Sequence, residues 1–250
     1  MLTDIHYLSD PSPFAEKTRR YLAVRQREGR VLSDEQVLHL PRTDSPSRAQ
    51  RREWRWRARS LGRMLRYLRR RPAGLRILDL GCGNGWMSMR LAGLPGSAIW
   101  AVDVNLPELE QGARVAQAAG KTNVTFAFAD ILENTLPEAH FDIVLLAAAV
   151  QYFPDLPALL AAARRVLKPG GEIHFIDSPF YPNEERRVAA RSATRRYYTE
   201  KGAPEMAGYY HHHLWADVRA AGGENLSAGW WPRLLQRLRW WAPFPWVRVR

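Results

Sequence analysis

The sequence predicts an α/β fold built on a doubly wound, mostly parallel sheet, and three observations carry that expectation. Short apolar runs alternate with helix-length segments from Leu75 to Asp177, the pattern of successive strand–helix units. The first run, Leu75–Leu80, breaks into the glycines Gly81, Gly83 and Gly85. The second, Ser97–Val102, ends in Asp103, 22 residues beyond Gly81. Strand, glycine loop, helix, strand and acid make one βαβ unit that opens for a nucleoside at its carboxyl edge.

Upstream of this unit, Phe14–Glu28 reads as a short helix, Val31–Leu40 holds a small apolar run and Pro41–Pro46 is a linker. Arg48–Arg71 carries eleven arginines and one glutamate. On a helix, Trp54, Ala58, Leu61, Met64, Leu65 and Leu68 form one stripe. Arg48, Arg52, Arg55, Arg59, Arg63, Arg66 and Arg70 gather opposite, as a solvated back or as a phosphate-binding face. Arg57 falls inside the apolar stripe, where a cation without an anion is costly.

The loop chemistry narrows the ligand. Glycine lets the backbone turn sharply and approach a ligand closely. A dinucleotide fingerprint would read G-x-G-x-x-G, whereas the third glycine falls one position early here. Asp79 beside the loop would repel a pyrophosphate and would hold a cationic ligand. S-adenosylmethionine, with its amino group, sulfonium and adenosine, fits that charge pattern better than NAD. Asp79–Gly85 matches (D/E)-x-G-x-G-x-G, and in this the stretch resembles the class I S-adenosylmethionine-dependent methyltransferases.

The elements that follow extend the resemblance. Pro107–Ala119 reads as a helix, Val124–Ala129 as the third strand and Phe141–Ala147 as the fourth. Leu156–Leu167 reads as a helix closed by Lys168-Pro169-Gly170-Gly171, and Glu172–Asp177 as the fifth strand. The run RRVLKPGGEIHFID is similar to the family's post-motif segment, so the resemblance covers about residues 73–178. It implies a Rossmann-like, seven-stranded sheet with an antiparallel last strand, an N-terminal helical extension and an insert after the fifth strand. It also implies a cofactor site drawn from Asp79, Gly81, Cys82, Gly83, Gly85, Trp86, Asp103, Val104, Asn105, Ala147 and Gln151. In the family, an acid at Asp130 binds the adenine amino group with Ile131 beside the ring. Asp103 is spaced to reach the ribose diol, and Arg57 is left to meet a core carboxylate or the methionyl carboxylate of the cofactor.

Beyond Asp177 the pattern loosens. Pro179–Gly208 reads as an inserted loop and helix, and Glu224–Gly229 and Pro245–Val249 as the last two strands. Between these strands Trp230–Trp241 reads as an amphipathic helix, packed over the pocket or lying at a membrane surface. The expected division is a helical extension or lid over residues 1–71 and a methyltransferase domain over 72–250, with 179–210 and 224–250 forming a substrate cap. Methyl transfer needs alignment, and a base only where the acceptor must lose a proton. The candidates for that chemistry are Asp177, Tyr181, His211 and His213, with Tyr152, Tyr209 and Tyr210 at the acceptor. No further ligand-spaced set surrounds the histidines, so no metal is expected.

Bulk properties bound the partners. Arginine supplies 33 of the 37 cations and the net charge is +12, which keeps nucleic acid and anionic surfaces in view. The leading reading is a small-molecule methyltransferase. Its rivals are an RNA methyltransferase using the arginine-rich helix, and a non-catalytic cofactor-binding partner or membrane-surface module. AAAVQYFPD stands where many amino-directed nucleobase enzymes carry (N/D)-P-P-(Y/F). The single cysteine forms no internal disulfide, and the N-terminus lacks the apolar core of a signal peptide. The expected compartment is therefore the cytoplasm.

Overall fold

The computed structural model describes residues 5–227 and 244–250; the expected helix Trp230–Trp241 lies outside them. The core strands are β2 (Arg76–Leu80), β3 (Ala98–Asp103), β4 (Val124–Phe128), β5 (Phe141–Ala147) and β6 (Leu167–Ile176). A short β1 (His6–Tyr7) precedes them, and β7 (Glu224–Asn225) and β8 (Val247–Val249) follow. Their order in the sheet is β1-β4-β3-β2-β5-β6-β8-β7. Pairing from β1 to β6 is parallel, and β8 runs antiparallel to both β6 and β7.

Two expectations are corrected. The sheet has eight described strands rather than seven, because His6 and Tyr7 pair with Ala127 and Phe128. Two residues carry no periodicity, and it is ring contacts to Trp100 and Phe128 that dock them. The fifth core strand begins at Leu167, not Glu172. The segment Lys168–Gly171 bulges, so that Phe141 faces Leu167 while Ile143 already faces Glu172.

Alternation along the strands divides the core. Ile77, Ile99, Phe126 and Leu145 face a layer with helices α3 (Arg48–Leu68), α4 (Trp86–Leu91) and α5 (Leu106–Ala118). Leu78, Val102, Val144 and Leu146 face α6 (Leu156–Val166) on the other side. Side-chain oxygens of Asn105, Asp155 and Ser47 cap α5, α6 and α3. In α3 the apolar stripe buries Leu61, Met64 and Leu68, while Arg48, Arg52, Arg55, Arg59, Arg66 and Arg70 are exposed. Arg63 instead turns inward and donates to Ser227 at 2.9 Å.

Helix α1 (Ala15–Arg27) crosses the carboxyl edge of the sheet, followed by α2 (Asp34–His39). It packs on the insert, which forms α7 (Glu184–Glu200); α8 (Trp215–Ala220) comes after it. Val24 joins Tyr198, Ala203 and Met206 in one buried cluster. Arg27 donates to the carbonyls of Lys201 and Gly202.

At the opposite end of β6, Glu172 ties α3 to the C-terminal strand. It accepts from Tyr67 at 2.6 Å and Arg71 at 2.7 Å, and Arg250 and His174 lie at 3.1 and 3.2 Å. Burial opposes ionisation there, but the bonds from His174, Tyr67 and Arg250 outweigh it and hold the carboxyl far below the usual range. A lowered folded pKa stabilises the protein above the unfolded value near 4.5, and that stability is lost as pH falls toward the folded value. Glu172→Gln is therefore expected to cost about 3 kcal/mol at pH 7. Urea unfolding should show the gap from wild type narrowing below pH 4; a pH-independent gap would contradict the ionic account.

Candidate active site

The site lies where β2 to β5 end. The turn after β2 is hung on the neighbouring strand, with Gly81 N and Cys82 N both donating to the Val102 carbonyl, at 2.8 and 3.1 Å. Gly81 has φ +73°, and a Cβ there would stand 2.6 Å from Ala149 Cβ. Gly85 has φ +66°, and its Cβ would meet the Phe126 ring at 2.7 Å. Both positions thus exclude side chains, by backbone handedness and by space. Asp103 closes the loop from β3: its carboxylate accepts from Gly83 N at 2.7 Å and from Asn105 N at 2.9 Å.

These residues border a cavity of about 440 Å³, within the range that holds a nucleoside-sized ligand. Of the predicted cofactor residues, Arg57, Gly81, Cys82, Gly83, Trp86, Asp103, Val104, Asn105, Asp130, Ile131 and Ala147 line it. Asp130 is fixed by donating its N–H to Ser9 at 3.0 Å and accepting from Leu132 N at 2.9 Å. Trp86 is held edge-on to Trp54 at 5.3 Å. Arg57 borders the cavity and pairs with the half-buried Glu53 at 2.7 Å.

Three expected cofactor residues lie elsewhere. Asp79 is buried under the loop, outside the cavity lining, and accepts from Ser88 of α4 at 2.6 Å; burial pushes its carboxyl up to about 6. Gly85 serves packing against Phe126. Gln151 turns away from this cavity and bonds Ala148 O and Ser178 Oγ.

A second cavity of about 370 Å³ adjoins the first, and Tyr21, Arg25, Arg30, Arg57, Ala148 and Tyr152 line both. Gln151, Asp177 and Tyr210 border this second space. Asp177, at the end of β6 with φ +55°, accepts from Ser60 at 2.5 Å, and burial raises its carboxyl. Tyr152 stands edge-on to Tyr21 and to Tyr210, at 6.1 Å in each case.

Four other candidates, Tyr181, Tyr209, His211 and His213, lie outside both cavities. The histidine run is a strut: His211 N donates to Gln151 O at 2.7 Å, and the buried His213 ring meets Val150 O at 3.2 Å. Tyr181 is laddered to the same strand, donating to His213 O and accepting from Trp215 N. Tyr209 lies under Lys17, whose ammonium is 5.2 Å from its ring centre.

Sequence reasoning missed Glu108, Lys17, Tyr21 and Arg25. Glu108 lines the first cavity and accepts from Asn105 Nδ2 at 2.9 Å; burial, with Asp103 nearby, pushes it up to about 7. Its place in the first turn of α5, just past Asp103, was the available signal. The α1 residues had none, because only packing brings that helix to the sheet edge. Among the described residues, no group of three or more His, Cys, Asp or Glu could hold a metal ion, and no helix is long and apolar enough to cross a membrane.

A glycine loop, a half-buried acid on the next strand and a second acid on the third, all at one crevice, define a nucleoside-binding α/β domain. Residues 77–171 match the family model for a methyltransferase domain. That segment is a methyltransferase domain, similar to those of the class I S-adenosylmethionine-dependent methyltransferases. The chain is 31% identical over 157 residues to the 27-O-demethylrifamycin SV methyltransferase of Amycolatopsis mediterranei, covering 62% of this chain and 56% of that one. It is 34% identical over 103 residues to the ubiquinone biosynthesis O-methyltransferase of Xanthomonas axonopodis, covering 41% and 42%. The chain thus spans about half the length of these curated relatives. The fold resembles that of the YcgJ protein of Bacillus subtilis, with a TM-score of 0.55 and 21% identity over 67% of this chain and 70% of that one.

Proposed function

We propose that this protein transfers the methyl group of S-adenosylmethionine to a hydroxyl oxygen of a small organic acceptor seated in the second cavity. The single observation that carries this reading is the shared wall: two cavities of ligand size meet at Tyr21, Arg57, Ala148 and Tyr152. A donor in one and an acceptor in the other would face each other there, which is the alignment that in-line transfer requires. The Xanthomonas relative is an O-methyltransferase by name and the Amycolatopsis one is named for a 27-O-demethyl acceptor, which favours oxygen.

The lining of the first cavity suits the cofactor. Asp103, Glu108 and Asp130 present acids to a ligand of net positive charge, and Gly83 leaves room where a Cβ would stand 3.2 Å from Glu108. Asp103 would hold the ribose diol, Asp130 and Ile131 the adenine, and Arg57 the methionyl carboxylate. When bound, S-adenosylmethionine supplies an electrophilic methyl group on a sulfonium that leaves without protonation. The chain's part is to hold the acceptor, exclude water under α1 and α7, and take up the hydroxyl proton. Asp177 is the proposed proton acceptor, oriented by Ser60.

The test is formation of S-adenosylhomocysteine from S-adenosylmethionine across a panel of hydroxylated acceptors. No turnover with any of them, despite cofactor binding, would count against the reading. With an active acceptor, Asp177→Asn is expected to lower kcat about 100-fold with little change in KM. The wild-type rate should rise with pH through a carboxyl titrating above its ordinary range, since burial raises that group and only its ionised form accepts a proton. An unchanged acid limb in the variant would remove Asp177 from the mechanism.

A further inference from the structure

The second cavity carries more charge information than the proposed reaction uses. Arg25, Arg30 and Arg57 border it and share only two carboxylates. Glu28 pairs with Arg25 and Arg30 at 3.1 Å each, and Glu53 pairs with Arg30 and Arg57 at 2.7 Å each. Arg52, a fourth arginine on the same lining, stacks on the Trp56 ring at 5.2 Å, and Trp56 also borders the cavity. The remaining acid, Asp177, accepts from Ser60, so four guanidinium groups, those of Arg25, Arg30, Arg52 and Arg57, face three carboxylates. Cations therefore outnumber carboxylates around this space, which favours an anionic ligand over a neutral one.

Much of the remaining lining is aromatic, with Tyr21, Tyr152, Tyr198 and Tyr210 bordering the space along with Trp56. Burial pushes the Tyr198 hydroxyl up to about 12, so it adds no negative charge at neutral pH.

We infer that the second cavity binds an acceptor with a planar, aromatic-sized body and a carboxylate or similar oxyanion, the anion meeting the surplus guanidinium at Arg52 and the ring lying among the tyrosines and Trp56. This rests on the reading of that cavity as the acceptor site. Arginine suits the task because its planar fork binds a carboxylate through two parallel N–H donors.

A matched pair of probes tests it: 2-naphthoate and its neutral isostere 2-naphthamide, titrated calorimetrically into protein saturated with S-adenosylhomocysteine. The naphthoate should bind at least about tenfold more tightly than the amide. Arg52→Gln should cost the naphthoate about tenfold and leave the amide and S-adenosylhomocysteine unchanged. Trp56→Leu should weaken both probes by a similar factor. Equal affinity for the two probes, no binding of either, indifference to Arg52→Gln, or displacement of S-adenosylhomocysteine by naphthoate would each overturn the inference. Loss of the methyltransferase reading is separately visible, as failure of S-adenosylhomocysteine itself to bind, while the probe preference stays measurable on the unloaded protein.

Discussion

Replacing Asp103 with alanine is expected to raise the Kd for S-adenosylmethionine by about two orders of magnitude or more. The carboxylate is committed twice to backbone, through Gly83 N and Asn105 N, and it borders the cavity. Burial raises its pKa, and the bonds from Gly83 and Asn105 work against that rise. Each charge-assisted bond to a ribose hydroxyl is worth about 1.5–3 kcal/mol, and loss of the Gly83 tether would also loosen the loop. Asp103→Asn keeps one oxygen acceptor and should fall between wild type and alanine. Calorimetric titration with S-adenosylhomocysteine is the check, with far-UV circular dichroism to confirm folding. Unchanged affinity in the alanine variant would remove the ligand from this crevice.

The largest stability effect is expected at Phe126. Its ring is fully buried on β4, beneath the glycine loop, and Phe126→Ala should cost about 3–5 kcal/mol. In a chain of this size that corresponds to roughly 10 °C in Tm. The three atoms nearest a Cβ built at Gly85 all belong to this ring, the closest at 2.7 Å. Gly85→Ala in the wild type therefore meets both the clash and the left-handed backbone. In the Phe126→Ala background only the backbone strain of about 1–2 kcal/mol remains. Thermal unfolding of the four proteins should show a coupling of at least about 1 kcal/mol; strict additivity would mean that the ring does not shape the loop.

The glycine loop and Asp103 were legible because a βαβ unit is local: strand, turn and helix lie within about thirty residues, and their periodicity and turn chemistry are written consecutively. The same locality explains Asp130-Ile131 at the end of β4. Asp79 misled because motif spacing marks a position in the loop and leaves open which layer takes its side chain; Ser88 claims it from below. The histidine run misled differently. Three titratable rings in a row suggest chemistry, but backbone bonds to Gln151 and Tyr181 turn the segment into a strut.

By itself the sequence determined the fold class, the parallel core, the nucleoside crevice and the α3 stripe with its basic back, all of which follow from patterns shorter than one supersecondary unit. Only the tertiary structure decided what stands over the crevice. The second cavity sets Tyr21, Arg25 and Arg57 against Tyr152, Asp177 and Tyr210, and the pairing of Asp177 with Ser60 joins residues more than one hundred positions apart. Such contacts come from the docking of whole faces, in which the apolar area buried by α1, α3 and α7 outweighs any preference of a single residue.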